Sequence, residues 1–229
     1  MYKRILLLGD SQTEFGTAPG GWVNIVSHKF CRQIDITNRG LSGYNTRWAL
    51  QHMPRILHAI PHSDLAVICF GNNDAAASTN SQHVPLPEYT DNLRQIVGKL
   101  TDIGMLPSNI LLMTPPCLHE GMYTRCFGDE DRTNRDLQCY AKSVLNVGRE
   151  MGCVIGDLFT EFTQLSMGAQ QRNQLGDFVK EGEQFFSDGL HLSETGNRVV
   201  ARVVTDFLTP RLDKELPLPL WRELIKPSS

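Results

Sequence analysis

The sequence, 229 residues long, predicts a three-layer α/β/α fold around a doubly wound, five-stranded parallel sheet. The first observation is that short apolar runs alternate with longer segments of helical period. The second is that continuous apolar strands are buried on both faces, so helices should cover both faces of the sheet. Right-handed crossovers follow, and analogy with other doubly wound sheets favours the strand order 2-1-3-4-5.

The predicted elements can be read off in chain order. The five strands are the apolar runs "RILLLG", "IDITN", "LAVICFG", "NILLMT" and "CVIGD". In the other segments, apolar residues recur at the three- and four-residue spacings of a buried helix face. This period predicts helices over residues 21–31, 46–60, 87–104, 134–151 and 194–208. A further helical segment is expected after the fifth strand.

Length and charge limit the possible partners. We expect one domain over residues 1–229, with a core at about 3–208 and a C-terminal tail at 209–229. Lys and Arg number 22 against 25 Asp and Glu, so the net charge of -3 offers no basic surface to nucleic acid. The apolar run of "MYKRILLLGDS" ends at Gly9, too early for a signal peptide, and no other segment is long enough to span a membrane.

The six cysteines form neither C-x-x-C pairs nor Cys/His clusters with zinc-like spacing. We therefore expect no metal, no cofactor and a reducing, cytoplasmic setting. Cys117 and Cys126 fall in a predicted long loop at 114–133, where a disulfide or a redox role is the alternative to free thiols. The aromatic residues of this loop, such as Tyr123, either wall a substrate pocket or anchor the loop.

The candidate nucleophile follows the first predicted strand. In a parallel sheet the carboxyl ends of the strands meet at one rim, where the loops carry the chemistry. Ser11 lies in the loop "GDSQTEFG", which should expose its hydroxyl near the start of a helical turn. A serine hydroxyl needs a base to accept its proton during attack. The alternative is a turn serine that caps the helix.

The candidate base is His191 in "FSDGLHLSETG", three residues after Asp188. Gly189 allows a turn that can bring the two side chains together. His191 could then accept the proton of Ser11 while Asp188 fixes the imidazole tautomer. The alternative is that Asp188 only precedes a helix capped by Ser193.

Attack on an ester creates an oxyanion, which preorganised hydrogen-bond donors must stabilise. Three candidates lie on the predicted rim: the Ser11 amide, the backbone N–H of Gly43 in "GLSG" and the side-chain amide of Asn73 in "GNND". The alternatives are a turn glycine and an asparagine that bonds its own backbone. Asp10 and Asp74, beside these candidates, are expected to accept backbone N–H bonds and not to shuttle protons.

Four short blocks, in this order, resemble those of the SGNH or GDSL hydrolase family: "GDS" at 9–11, "GLSG" at 40–43, "GNND" at 71–74 and "DGLH" at 188–191. The resemblance spans about residues 3–208 and is closest to the isoamyl acetate-hydrolysing esterase branch. It implies the flavodoxin-like SGNH fold and the activity of a serine hydrolase. The tail at 209–229 lies outside it, and could dock on its own domain, dock on the partner subunit of a homodimer or simply fray.

The resemblance also implies roles for particular residues. Ser11 corresponds to the nucleophile, and Asp188 and His191 correspond to the rest of the catalytic triad. The Ser11 amide, Gly43 and Asn73 correspond to the oxyanion hole. One departure is that glutamine follows Ser11 where the GDSL name expects leucine, a change we expect to affect the support of the turn and not its chemistry.

The function expected from these residues is that of a serine esterase acting on a small-molecule carboxylic ester, with a short acyl group such as acetyl. A lysophospholipase or thioesterase of lipid metabolism and an acyltransferase are alternatives on the same fold. The non-enzymatic alternative is a flavodoxin-like protein whose "GDSQT" turn binds the phosphate of a nucleotide or flavin. That alternative leaves "GNND" and "DGLH" without a role.

Overall fold

The computed structural model describes residues 2–128, 130–166 and 182–213. Within these ranges five parallel strands form one sheet in the order β2-β1-β3-β4-β5, which confirms the predicted fold class and strand order. The strands are β1 (Lys3–Gly9), β2 (Ile34–Gly40), β3 (Leu65–Cys69), β4 (Ile110–Met113) and β5 (Val154–Gly156). Residues 214–229 of the predicted tail lie outside the described part of the chain, and so does any docking by them.

Helices form the two outer layers. They are α1 (Ser11–Glu14), α2 (Trp22–Lys29), α3 (Thr46–Ile56), α4 (Leu86–Asp102), α5 (Glu120–Phe127), α6 (Asn134–Met151), α7 (Leu158–Ser166) and α8 (Glu194–Leu208). α2 packs on α8, whereas α4 packs on both α3 and α6. The sheet therefore lies between two helical layers, and α2, α3, α4, α6 and α8 correspond to the five predicted helices.

The prediction of an uninterrupted loop at 114–133 is wrong, because α5 lies inside it. The side chain of His119 caps the start of α5 by accepting a backbone N–H bond, and Gly128 ends the helix in the left-handed conformation, with a φ of 68°. Histidine is not among the usual N-cap residues, so the sequence lacks the ordinary start signal at this point.

The three central strands form the core of the sheet. All residues of β3 and β4 are buried, and so is β1 from Ile5 onward. The edge strands β2 and β5 are buried only in part, and Asp35 of β2 is exposed. The expected burial on both faces thus holds for the central strands and is incomplete at the edges, which the helical layers do not fully cover.

The register of the sheet brings three loops to one level. Gly9 at the end of β1 lies beside Gly40 at the end of β2 and beside Cys69 at the end of β3. Since β1 lies between β2 and β3, the loop that follows β1 lies between the loops that follow its two neighbours. Doubly wound sheets bind their ligands in a crevice at the carboxyl ends of the strands, between two neighbouring strands whose connections leave to opposite faces of the sheet.

The cysteines are six free thiols. Cys117 is buried and Cys126 is exposed, and no disulfide joins them. Burial raises the pKa of the Cys117 thiol to about 12, so this residue is a poor nucleophile and an unreactive redox group.

No helix in the described ranges is long and apolar enough to cross a membrane.

Candidate active site

Ser11 begins α1, at the point where the chain turns out of β1. The cap of this helix is Asp10, whose Oδ1 atom accepts a hydrogen bond of 3.0 Å from the backbone N–H of Gln12. The capping role that the sequence left open for Ser11 thus belongs to Asp10. Because the first N–H groups of a helix have no partner within it, the amide of Ser11 is available as a donor.

Ser11, His191 and Asp188 form a hydrogen-bonded chain. His191 Nε2 lies 3.0 Å from Ser11 Oγ, and His191 Nδ1 lies 2.7 Å from Asp188 Oδ2. An ionised carboxylate can only accept, so Nδ1 carries the proton and the lone pair of Nε2 faces the Ser11 hydroxyl. In this tautomer the imidazole can take a proton from Ser11 and return it to a leaving group.

The backbone around Asp188 keeps its carboxyl group ionised. Asp188 Oδ1 accepts bonds from the backbone N–H groups of Leu190, at 2.9 Å, and His191, at 2.7 Å. Burial raises the pKa of Asp188, but the hydrogen bonds from the His191 ring and from the two backbone groups outweigh it and bring the pKa below its ordinary value. The Oδ2 atom is left to face the imidazole.

Gly189 makes the turn between Asp188 and His191 possible. Its φ of 92° lies in the left-handed region, which favours glycine. A Cβ atom at this position would lie 2.3 Å from the backbone nitrogen of Tyr123, so a larger residue has no room. Ser193 caps α8 by accepting a bond from Gly196, which confirms the predicted helix start just after His191.

Gln12 and Phe15 contact the His191 loop. Gln12 Nε2 donates a hydrogen bond of 2.6 Å to the carbonyl oxygen of Leu190, and the Phe15 ring lies 5.4 Å from the ring of His191. The helix of Ser11 is thereby tied to the loop that carries the histidine. The glutamine that departs from the GDSL pattern has a supporting contact, in line with the role expected for that position.

Gly43 and Asn73 lie on the two loops that flank the loop of Ser11, and these loops contact each other. Gly43, with a φ of 76°, occupies the turn closed by the 3.0 Å bond from the Tyr44 N–H to the Leu41 oxygen, where such a φ favours glycine. Asn73 Nδ2 donates a bond of 2.9 Å to the Tyr44 oxygen, not to its own backbone. The second N–H of that amide is left for a ligand.

Asp10 and Asp74 are buried and bind groups of their own chain. Asp10 caps α1, and Asp74 Oδ1 accepts bonds from the backbone N–H and the hydroxyl of Thr46. Burial raises the pKa of Asp10 to about 6 and that of Asp74 to about 7. Both contacts agree with the structural role expected for these residues.

Arg132 was not among the residues that the sequence singled out. It lies in the charged run "GDEDRTNR", which is typical of a solvated loop, yet only 6% of its surface is exposed. Its Nη2 atom lies 3.5 Å from Asn73 Oδ1. No local signal predicts this burial, because the partners of Arg132 include residues about 60 positions away in the chain.

One surface cavity adjoins the candidate site, and a larger one lies elsewhere. A cavity of about 240 Å³ adjoins His191 and is lined in part by Gln12, Phe15 and Leu192. A larger one, of about 440 Å³, lies against β5, α7 and α8, and neither Ser11 nor His191 lines it. Among the residues that the structure describes, no group of three or more His, Cys, Asp or Glu could hold a metal ion.

Several known proteins are similar to this chain in sequence or in fold. Residues 5–204 match the GDSL-like lipase/acylhydrolase family. The isoamyl acetate-hydrolyzing esterase 1 homolog of Rattus norvegicus is 37% identical, over 98% of this chain and 89% of its own. The crystal structure of a lipase/acylhydrolase from Enterococcus faecalis has a TM-score of 0.73 at 22% identity, over 93% of this chain and 98% of its own. For an acetyl xylan esterase the TM-score is 0.70 at 19% identity, over 89% and 98%.

The fold, the hydrogen-bonded serine and the relatives define the class of protein: it is a carboxylic ester hydrolase with a three-layer α/β/α fold. The family match covers most of the chain, and the resemblance to the isoamyl acetate-hydrolysing branch is confirmed by the rat relative. The chain belongs to the GDSL-like lipase/acylhydrolase family.

Proposed function

We propose that the protein is a serine esterase that uses Ser11, His191 and Asp188 to hydrolyse small esters with a short acyl group such as acetyl. The observation that carries this proposal is the hydrogen-bonded chain from Ser11 Oγ through His191 to Asp188, with distances of 3.0 and 2.7 Å. Such a chain activates a serine hydroxyl for acyl transfer without a cofactor.

Acylation begins when Ser11 Oγ attacks the carbonyl carbon of the ester and His191 Nε2 takes the hydroxyl proton. Asp188 holds the Nδ1 proton and stabilises the imidazolium that forms. When the tetrahedral intermediate collapses, the bond from the acyl carbon to the alcohol oxygen breaks and His191 gives its proton to that oxygen. The alcohol departs, and the acyl group stays on Ser11.

Deacylation repeats these steps with water. A water molecule attacks the acyl carbon while His191 Nε2 takes one of its protons, and collapse then returns that proton to Ser11 Oγ. The carboxylic acid departs. In both halves of the reaction, negative charge develops on the carbonyl oxygen, and the Ser11 amide, the Gly43 N–H and the Asn73 side chain are the donors that stabilise it.

The names of similar proteins support a small acetyl ester as the substrate. The name of the rat relative refers to isoamyl acetate, and one structural neighbour is an acetyl xylan esterase. Both names support acetyl as the acyl group.

Two broader expectations belong to the same proposal. One hydrolase domain over residues 1–229 is supported by the single sheet that holds all strands of the described ranges. A cytoplasmic setting is supported by the six free thiols, since disulfides form in oxidising compartments. Fractionation of cells that express the protein, with marker enzymes for each compartment, tests the second.

A panel of esters tests the proposed function. The esters vary in acyl length and in alcohol size, and a thioester and a lysophospholipid are further members. We expect kcat/KM to be highest for acetyl esters of small alcohols, and Ser11→Ala to have no turnover on any of them. A higher kcat/KM for the lysophospholipid or the thioester contradicts the substrate class. Turnover by Ser11→Ala at the wild-type rate contradicts the mechanism.

A further inference from the structure

Arg132 contacts the connection between β3 and α4, which carries Asn73 and which in turn holds the loop of Gly43 through Gln82. It lies between α5 and α6, and 5% of its side chain is exposed. Its Nε donates a bond of 3.0 Å to the backbone carbonyl oxygen of Asn72. Its Nη2 donates a bond of 2.5 Å to Gln82 Oε1 and lies 3.5 Å from Asn73 Oδ1. An arginine is rarely buried unless it is paired, so these contacts define a fixed position for the guanidinium.

The other side of the guanidinium is neutralised. Arg132 Nη1 donates to both oxygens of Asp131, at 2.8 and 3.0 Å, and to the Tyr123 hydroxyl at 2.6 Å. Burial raises the pKa of Asp131, but the Tyr123 hydrogen bond and the charge of Arg132 outweigh it and lower the pKa below its ordinary value. The ion pair therefore holds Nη1, while Nη2 faces the amides of Gln82 and Asn73.

A guanidinium has only donors, and this fixes the orientation of both amides. The atom of Gln82 that faces Arg132 must be its oxygen, so the Gln82 NH₂ group points away and donates to the Gly43 oxygen at 2.8 Å. The Asn73 oxygen likewise faces Arg132, and the Asn73 NH₂ group points away from it and donates to the Tyr44 oxygen. One cation thus sets the polarity of two amides in the connection between β3 and α4.

The Gly43 N–H is fixed by bonds on either side of it. The Ser42 N–H donates a bond of 2.5 Å to Glu14 Oε2, which holds the peptide unit before. The bond from Gln82 to the Gly43 oxygen holds the peptide unit after. The peptide unit between them carries the Gly43 N–H, so these two bonds set its direction. Gly43 itself has a φ of 76°.

We infer that Arg132 is a positioning residue for the hydrolysis, which orients the oxyanion donors on both sides of Ser11, Asn73 directly and Gly43 through Gln82. This inference rests on the proposed function, because it assumes that Gly43 and Asn73 stabilise the oxyanion. Arg132 itself touches neither the substrate nor the reacting atoms. Oxyanion donors stabilise the transition state only when their direction is set before the reaction, and the guanidinium sets it.

Substitutions on the two sides of Arg132 test the inference. Gln82→Met removes the link to Gly43 and keeps the Arg132–Asp131 ion pair. Arg132→Lys keeps the positive charge but loses the planar fork that reaches two amides. Tyr123→Phe is the matched control, because it removes a hydroxyl from the same network on the side away from the oxyanion loops. Melting temperature, kcat, KM and the pH dependence of kcat are measured for each variant and for the double variant Gln82→Met/Arg132→Lys.

We expect Gln82→Met to lower kcat at least about tenfold, part of the roughly 10²- to 10³-fold that loss of a donor costs. KM and the pH profile should not change, since His191 is untouched. Arg132→Lys should lower kcat further, and the double variant should equal Arg132→Lys, because both substitutions interrupt one connection. Tyr123→Phe should keep wild-type kcat even where its melting temperature falls.

Three results would overturn the inference: a wild-type kcat in Gln82→Met, a loss of kcat in Tyr123→Phe equal to that in Gln82→Met, or multiplied losses in the double variant. If Arg132→Lys does not fold, Gln82→Met and Tyr123→Phe still distinguish a positioning role of Arg132 from a purely structural one. Failure of the proposed function is distinct, since it appears as full turnover in Ser11→Ala whatever the Gln82 variant does.

Discussion

Replacing Asp188 by asparagine tests how the carboxylate sets the tautomer of His191. Asp188 Oδ1 accepts two backbone N–H bonds, and its Oδ2 accepts from His191 Nδ1 at 2.7 Å. In the asparagine variant the amide oxygen must occupy the position of Oδ1, because the backbone N–H groups of Leu190 and His191 need an acceptor there. Its NH₂ group then faces Nδ1, so Nδ1 becomes an acceptor and the ring proton moves to Nε2.

A proton on Nε2 points at Ser11 and removes the base. The same exchange in a serine protease triad lowers kcat about 10⁴-fold, which corresponds to roughly 5 kcal/mol of transition-state stabilisation. We expect Asp188→Asn to lower kcat of this protein by about 10⁴-fold, with little change in KM. The melting temperature should fall only slightly, because the bonds from the Leu190 and His191 backbone are kept.

The assay is the initial rate on an acetyl ester of a small alcohol, normalised to folded protein measured by circular dichroism. Asp35→Asn is the control, because Asp35 is exposed on the edge strand β2 and the same chemical change there should leave the rate unaltered. A folded Asp188→Asn variant with kcat close to that of wild type would refute the reasoning from the tautomer.

Three further substitutions test two residues of the proposed oxyanion hole and the buried carboxyl group of Asp74. Asn73→Ala should lower kcat by about 10²- to 10³-fold with little change in KM, since a donor to the oxyanion is lost; near-normal turnover per folded molecule would remove Asn73 from the mechanism. Gly43→Ala should cost roughly 1–2 kcal/mol of stability for an alanine in a left-handed conformation. The new Cβ would meet only Gln82 Nε2, at 3.5 Å, so a much larger loss in thermal denaturation would contradict this account. Asp74 has a pKa of about 7 in the native state against an ordinary 3.8, so the stability it contributes is complete below the ordinary value and is lost as the pH rises through 7. Asp74→Asn should therefore flatten the decline of the unfolding free energy over that pH range, measured by urea denaturation, and an unchanged slope would count against a raised pKa.

The sequence predicts the parts of the site that follow strands. Ser11, Gly43 and Asn73 each come shortly after a predicted strand, and the loops that follow parallel strands lie at one rim of the sheet. The pair of Asp188 and His191 is predictable because its spacing and its glycine are local features. Their contact with Ser11, 180 residues away in the chain, follows only once all the loops are assigned to the same rim.

The supports of the site depend on long-range packing and could not be predicted in this way. The burial of Arg132 depends on Asn72, Asn73 and Gln82, which share no sequence pattern with it. The bond from Gln12 to Leu190 joins residues 178 positions apart. α5 begins at a histidine cap, which has no ordinary helix-start signal. Local propensity decides the strands and the turns, whereas pairing of polar side chains across the fold decides these contacts.

The most direct test of the account is to locate the nucleophile. Wild-type protein is treated with a fluorophosphonate, digested and mapped by mass spectrometry, with Ser11→Ala and His191→Ala treated in parallel. The account predicts a single adduct on Ser11, slower labelling in His191→Ala because the base is lost, and no adduct in Ser11→Ala. An adduct on another residue in the wild type, or labelling of Ser11→Ala at the wild-type rate, would contradict it.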